Sequence, residues 1–218
     1  MLPRNAGAVC RREHRDSGPV RRQTRRLDPL VPPLRLPLLL MLALPVLPAG
    51  AADYVVDPEH TYAHFEIDHL GFSTQRGRFN RSSGSIAFDP AAQQGALEIR
   101  IDAASLDTGL TARDDILRGE NWFNVRDFPD ILFRSQNMIF AGDQPQAVDG
   151  TLIMLGEARP LRLAISRFKC GFNLARRQRG CGADAEGVLK RSDFGLHNGI
   201  PFVGDEVRLR IQVEAYLR

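Results

Sequence analysis

The clearest alternation of hydrophobic and polar positions lies at the C-terminus. Within 205–217, Val207, Leu209, Ile211, Val213, Ala215 and Leu217 alternate with Arg208, Arg210, Gln212, Glu214 and Tyr216. A β-strand turns successive side chains to opposite faces, so this run predicts a strand with one apolar and one polar face. It is about twice the usual ~5–6 residues, a length that suits a curved sheet or barrel with an apolar interior. The same alternation sets Ala63, Phe65, Ile67 and His69 against Tyr62, His64, Glu66 and Asp68, and Leu97, Ile99, Ile101 and Ala103 against Glu98, Arg100 and Asp102. It recurs at Leu161, Leu163 and Ile165, opposed by Arg162, Ala164 and Ser166.

Eight strands are predicted, over 61–70, 77–88, 96–104, 130–140, 148–155, 160–169, 183–191 and 206–217, separated by Gly, Pro, Asn and Asp clusters such as Asp89-Pro90 and Asn198-Gly199-Ile200-Pro201. One segment differs. Residues 111–118 are helix formers, with Asp114 three residues after Thr111 and Gly119 at the end, and predict a short capped helix. Trp122 and Phe123 follow it and are expected to cap one end of the domain. Eight strands without helical crossovers imply an all-β, antiparallel barrel or sandwich with one short inserted helix. An eight-stranded barrel either fills with side chains or holds one small ligand; alternation alone does not decide between them.

The first fifty residues stand apart. An apolar run over 36–47 follows an Arg-rich stretch ending at Arg35, and Ala49-Gly50-Ala51 fits a small-x-small cleavage site. This predicts a basic leader and secretory signal peptide over 1–52, cleaved near Ala51-Ala52, and an exported domain over 53–218. The run is too short and too rich in proline for a transmembrane helix. Arg21-Arg22 and Arg25-Arg26 also admit a twin-arginine export signal.

Removing the leader changes the charge. It holds nine of the 29 basic residues and three of the 26 acidic ones, leaving 20 and 23, a net charge of −3. The basic character of the full chain belongs to the leader, and a mildly acidic domain argues against nucleic acid as a partner. Cys170 and Cys181 are the two cysteines after residue 52. An even count in an exported chain predicts a disulfide, which would be worth on the order of 3 kcal/mol in the loop-entropy view.

Several blocks, in order, resemble one family. Tyr54-Val55-Val56-Asp57-Pro58-Glu59-His60-Thr61-Tyr62 resembles the opening of the YceI-like, or polyisoprenoid-binding, family, and Phe65-Glu66-Ile67-Asp68-His69-Leu70-Gly71-Phe72-Ser73 with Gly77-Arg78-Phe79 resembles its next block. Arg113-Asp114, Trp122-Phe123, Phe128-Pro129, Gly150-Thr151-Leu152 and Arg191-Ser192-Asp193-Phe194-Gly195 continue the series. The resemblance implies a lipocalin-like antiparallel barrel with a long apolar tunnel, and as ligand an isoprenoid lipid such as a quinone or polyprenyl chain. It implies no shared catalytic residues and no covalent cofactor.

On this reading the tunnel-lining candidates are Phe65, Ile67, Leu97, Ile99, Ile101, Leu209, Ile211 and Val213. Burying a prenyl chain there needs no specific polar contact, since removing apolar surface from water is worth ~25 cal/mol per Å². Arg176, Arg177 and Arg179 form the one dense basic cluster after the leader and are candidates for contact with a phosphate head group or an anionic membrane. Competing chemistry is weaker. His60, His64 and His69 lie close in sequence, yet on a strand at ~3.3 Å per residue His60 and His64 would be about 13 Å apart, too far for one metal ion. Ser192, Asp193 and His197 have the residue types of a hydrolase triad but no nucleophile elbow. Asp114, Asp115 and Glu120 read as acids of a surface helix, favoured by its dipole.

Three functions remain open: a periplasmic lipid binder or carrier serving an inner-membrane redox or lipid partner, a quinone-linked redox accessory or lipid-acting enzyme, and a filled-core stress or scaffold protein.

Overall fold

The structure, a computed structural model, describes residues 50–218. The predicted leader lies outside the described residues except for its last three. Strands β1 (Ala52–Val56), β2 (Tyr62–His69), β3 (Ser73–Phe79), β4 (Ser82–Asp89), β5 (Gln94–Asp102) and β6 (Leu106–Asp107) precede helix α1 (Thr111–Arg118). Strands β7 (Asp130–Ala141), β8 (Gln144–Met154), β9 (Glu157–Asn173), β10 (Gln178–Lys190) and β11 (Val203–Leu217) follow it.

One sheet joins all of them in the order β1-β4-β5-β7-β8-β9-β10-β11-β2-β3-β6, and β11 pairs back to β1. β11 pairs with β2 through Val207–Gln212 and with β1 through Ala215–Leu217, so β1 and β2 form one bent stave. β3 and β4, which pair with β2 and β1, form the next. The result is a closed antiparallel barrel of eight staves, one of the two architectures the pattern admits and the one the family resemblance implies.

Both breaks have local causes. Asp57-Pro58 interrupts the first stave because Pro58 has no N–H for the ladder, while the Asp57 N–H still donates to the Glu214 carbonyl at 2.8 Å. At the second break, the N–H groups of Asn80 and Arg81 leave the ladder for the carbonyl and hydroxyl of Ser105, each at 3.0 Å. Between β5 and β7 the chain leaves the wall for α1 and returns, covering one end of the barrel. The core lies under this cover, where Phe79, Leu106, Phe133, Leu152, Leu161 and Phe194 pack together.

The wall extends further than alternation predicts. β1 is unpredicted, because five residues in which the exposed positions are Asp53 and the apolar Val55 carry no clear period. β9 and β10 run to Asn173 and Gln178, so the segment between the cysteines is mostly paired strand rather than loop. Its glycines and polar residues hide the pattern, but the backbone ladder continues regardless of side chain; Arg179 pairs with Phe172 and Cys181 with Cys170. A bulge opposite Asp184 and Ala185 resets the parity of β9, so Phe168 points inward together with Ile165.

Helix α1 has the predicted bounds and a different cap. Leu110 is the N-cap residue, and no side chain caps the helix. Asp114 is buried and accepts hydrogen bonds from the Thr108 N–H (2.9 Å) and hydroxyl (2.5 Å), holding the turn into the helix. It is not a surface acid placed for the dipole.

Cys170 and Cys181 form a disulfide across the β9–β10 pair. Replacing both by serine is expected to lower the unfolding free energy by about 2–3 kcal/mol, the range for a loop of this size, as measured by denaturant titration. An unchanged midpoint would show that the strand ladder alone fixes the hairpin.

Candidate functional site

The barrel is hollow. Its larger cavity has a volume of about 370 Å³, within the ~300–1,000 Å³ typical of small-molecule sites. A second, of about 120 Å³, continues it toward the far end. Both cavities are lined by Thr61, Ile99, Phe133, Leu163 and Ile211, which form a waist between them.

The eight candidate positions all face this space. Phe65, Ile67, Ile101 and Leu209 line the larger cavity, Leu97 and Val213 the smaller, and Ile99 and Ile211 the waist. The wall stays open partly because its aromatic rings lie flat. The Phe65 ring covers Gly77 on the adjacent strand, where a Cβ would sit 2.4 Å from it. Phe133 covers Gly150 in the same way, 2.5 Å from an added Cβ.

At the α1 end the cavity meets polar groups. No carboxylate lines the larger cavity, whereas Arg76, Arg113, Arg191 and His69 do. Arg76 turns outward to Glu66 at 2.9 Å. Arg113 donates to the Thr108 hydroxyl (2.8 Å), the Thr108 carbonyl (2.8 Å) and the Gln75 amide oxygen (2.6 Å). Its direct acceptors are neutral, and the nearest carboxylate, Asp114, is linked to it through the Thr108 hydroxyl rather than by an ion pair.

Arg191 has a different task. It is buried, donates to the carbonyls of Gly204 (2.8 Å), Val203 (3.0 Å) and Leu196, and lies over the Trp122 ring. It pins the 191–204 segment over the barrel end. Burial lowers its pKa from the ordinary arginine value, and the nearby Asp205 carboxylate opposes that shift. Burial raises the pKa of Asp205, but the N–H and hydroxyl of Ser192 (2.9 and 2.8 Å), with Arg191, hold it below the usual carboxylate range. Ser192 is therefore committed to Asp205, and no Ser192–Asp193–His197 triad assembles.

The far end carries another polar cluster. His60 Nδ1 lies 2.6 Å from Asp57 Oδ2, and Arg176 reaches the same oxygen at 2.7 Å. Arg176 also pairs with Glu59 at 3.3 Å and stacks on Tyr216, whose hydroxyl donates to Glu214 at 2.8 Å. The structure thus gathers His60 with Asp57 and Glu214, within 4.8 Å of one another, rather than with His64 and His69. Arg176 occupies the side of Asp57 that a cation would approach. Sequence spacing gave no sign of this, since Glu214 lies near the end of β11 and Arg176 in the β9–β10 turn, far from it along the chain. Neither cavity is lined by Arg176, Arg177 or Arg179.

The YceI-like domain profile matches residues 54–215. Protein YceI of Escherichia coli is 33% identical over 171 residues, covering 76% of this chain and 87% of that protein. Among solved structures, the Campylobacter jejuni YCEI protein aligns with a TM-score of 0.59 and 27% identity over 69% of this chain and 90% of its own. A polyisoprenoid binding domain from Saccharophagus degradans, implicated in plant cell wall breakdown, shares the fold with a TM-score of 0.56 at 15% identity, over 76% of this chain and 98% of its own.

The far-end cluster makes stability depend on pH. The hydrogen bond to Asp57 raises the pKa of His60 above its ordinary 6.5. Its contribution is therefore complete below 6.5 and is lost as pH rises through the raised value. Burial pushes Asp57 up, but its bonds to His60 and the Glu59 N–H, with Arg176, bring it below its ordinary 3.8, so its contribution is lost only in stronger acid. His60→Ala is expected to lower the melting temperature near pH 5.5 and to change it little near pH 8.5. Equal losses at both values would show that His60 acts without its charge.

Proposed function

The chain belongs to the YceI-like family, and on that premise we propose that its barrel binds an amphipathic isoprenoid lipid, tail first, in the apolar cavity. The observation that carries this reading is the asymmetry of the hollow interior. One end offers an apolar waist leading to a smaller, wholly apolar lobe, and the other offers cationic groups without a carboxylate in the lining. A branched hydrocarbon tail gains from the first and a phosphate or quinone head from the second. The polyisoprenoid binding of the fold neighbour agrees with this assignment.

The head group lies at the α1 end, against Arg113 and Gln75. Arg113 makes three hydrogen bonds to neutral acceptors that aim its guanidinium without a direct ion pair, which leaves it free to make a charge-assisted contact. This reading sets the head away from Arg176, Arg177 and Arg179, which line neither cavity and of which Arg176 is already paired. The tail points toward Ile99, Phe133 and Ile211. Short tails fill the larger cavity; longer ones pass the waist into the smaller lobe. In this reading the protein is an exported carrier that takes its lipid from, or gives it to, a membrane partner, and it performs no chemistry on it.

Two measurements test the proposal. Affinity for a series of prenyl phosphates is expected to rise with each isoprene unit until both lobes are full. Ile211→Trp should abolish the gain for longer chains and leave the shortest ligands within about threefold of wild type. Arg113→Met should weaken prenyl phosphates by about tenfold or more, as loss of a charged hydrogen bond worth ~1.5–3 kcal/mol implies, and prenyl alcohols far less. Protein recovered without lipid that takes up none on addition would refute the reading.

A further inference from the structure

We propose that the rim of the larger cavity is a membrane-docking collar that sets apolar loop tips into a phospholipid bilayer and opens the cavity directly onto it. The proposal rests on the lipid-binding reading above and adds the surface that exchanges the lipid.

The rim carries an unusual set of exposed side chains. Phe72 is 88% exposed and Phe202 67%, and Leu70, Leu110, Ile116 and Ile200 are exposed with them. Three segments supply them, and each adjoins or contains residues of the cavity wall. The β2–β3 turn follows His69, the 200–202 segment precedes Val203, and Ile116 itself lines the cavity. The first two segments are joined, since the Leu70 N–H donates to the Phe202 carbonyl at 2.7 Å. Leu70 and Gly71 both have positive φ, 57° and 69°, so a tight turn holds Phe72 out at the tip. Arg191 fixes the other loop through carbonyls of 196, 203 and 204. These are rigid projections rather than a flat face.

Charge at the rim agrees with a phosphate layer. Arg113 has no carboxylate partner among the described residues and borders the opening. The acids on the same segments are engaged. Asp68 accepts from the Gly71 N–H at 2.9 Å, Asp115 pairs with Arg118 at 3.1 Å, and Glu120 with Arg126 at 3.2 Å. Apolar tips that enter ~5–10 Å into the headgroup boundary would bring this cation to the phosphates. A bilayer fits better than a protein partner because the tips surround the opening. A protein seated on them would seal the cavity, whereas fluid lipid would leave an apolar path from acyl chains to barrel. The exchanged tail then never crosses water, whose avoidance is the main driving term for such a ligand.

The test uses the protein as its cell produces it, with vesicles of phosphatidylcholine containing a minor fraction of phosphatidylglycerol. Co-flotation measures docking, and fluorescence of parinaric acid in vesicle-free solution measures filling of the cavity. Wild type is expected to float with the vesicles. Phe72→Ser/Phe202→Ser is expected to lose about tenfold or more in vesicle affinity with parinaric acid uptake and melting temperature unchanged. Failure of wild type to float, or flotation undiminished in the variant, would overturn the collar. A concentration-dependent dimer that the variant abolishes, without flotation, would also overturn it, by giving the surface to a second copy. Flotation without parinaric acid uptake would sustain the collar and remove the lipid-binding reading instead.

Discussion

The molecule depends on closure of its hydrogen-bonded ring by β11. Along its 15 residues this strand pairs with β10 on one side and with both halves of the first stave on the other. Closure removes the free edges that an open sheet would present. It also fixes parity around the whole wall, because a slip of one residue would turn every inward side chain outward. Ile211 faces the waist only while Leu209 pairs with Phe65 and Val213 with Ala183. The cavity is thus a property of the register of the ring, not of any single strand.

A closed eight-stave ring leaves an interior that large side chains could fill. Here it stays open because bulk is laid along the wall. Phe65 and Phe133 lie over glycines of adjacent strands instead of reaching across the axis. The core concentrates under the cover contributed by 103–128, where Phe123 meets Phe79 edge to face at 5.5 Å. The structure separates two tasks that a filled barrel combines: packing stabilises one end, and the axis is left for something else. That separation removes the filled-core alternative raised by the sequence.

Alternation made the eight staves, the helix bounds and the inward positions legible, because period and burial coincide there. It failed where backbone geometry works without apolar side chains. The continuation of β9 and β10 past the cysteines contains Gly171, Gly180 and Gly182 and reads as loop, yet its ladder persists to Asn173 and Gln178. It also failed where function depends on groups far apart in sequence. His60 finds Asp57 nearby but Arg176 and Glu214 only through strand pairing. Asp114 looked like a surface acid because its partner, the Thr108 turn, is visible only once the chain folds back. Arg113 had the sequence signal of a matching block and no assigned role; its importance comes from lining the cavity with neutral direct acceptors and no ion pair.

The two ends of the barrel differ in how their charges are settled, and this gives the molecule a direction. At the far end one cluster pairs its charges: Arg176 meets Asp57 and Glu59, and His60 meets Asp57. Opening that end would strand a carboxylate that is only 2% exposed, and an unpaired buried charge is among the costliest defects a fold can carry. At the α1 end Arg113 is held by neutral acceptors alone, and the surrounding segments project apolar tips. Nothing is broken when an anionic or polar head arrives there. A ligand with one polar end and one long apolar tail has a single favourable orientation in such a barrel. The apolar lobe takes the tail, and the end where Arg113 lacks a direct ion pair takes the head.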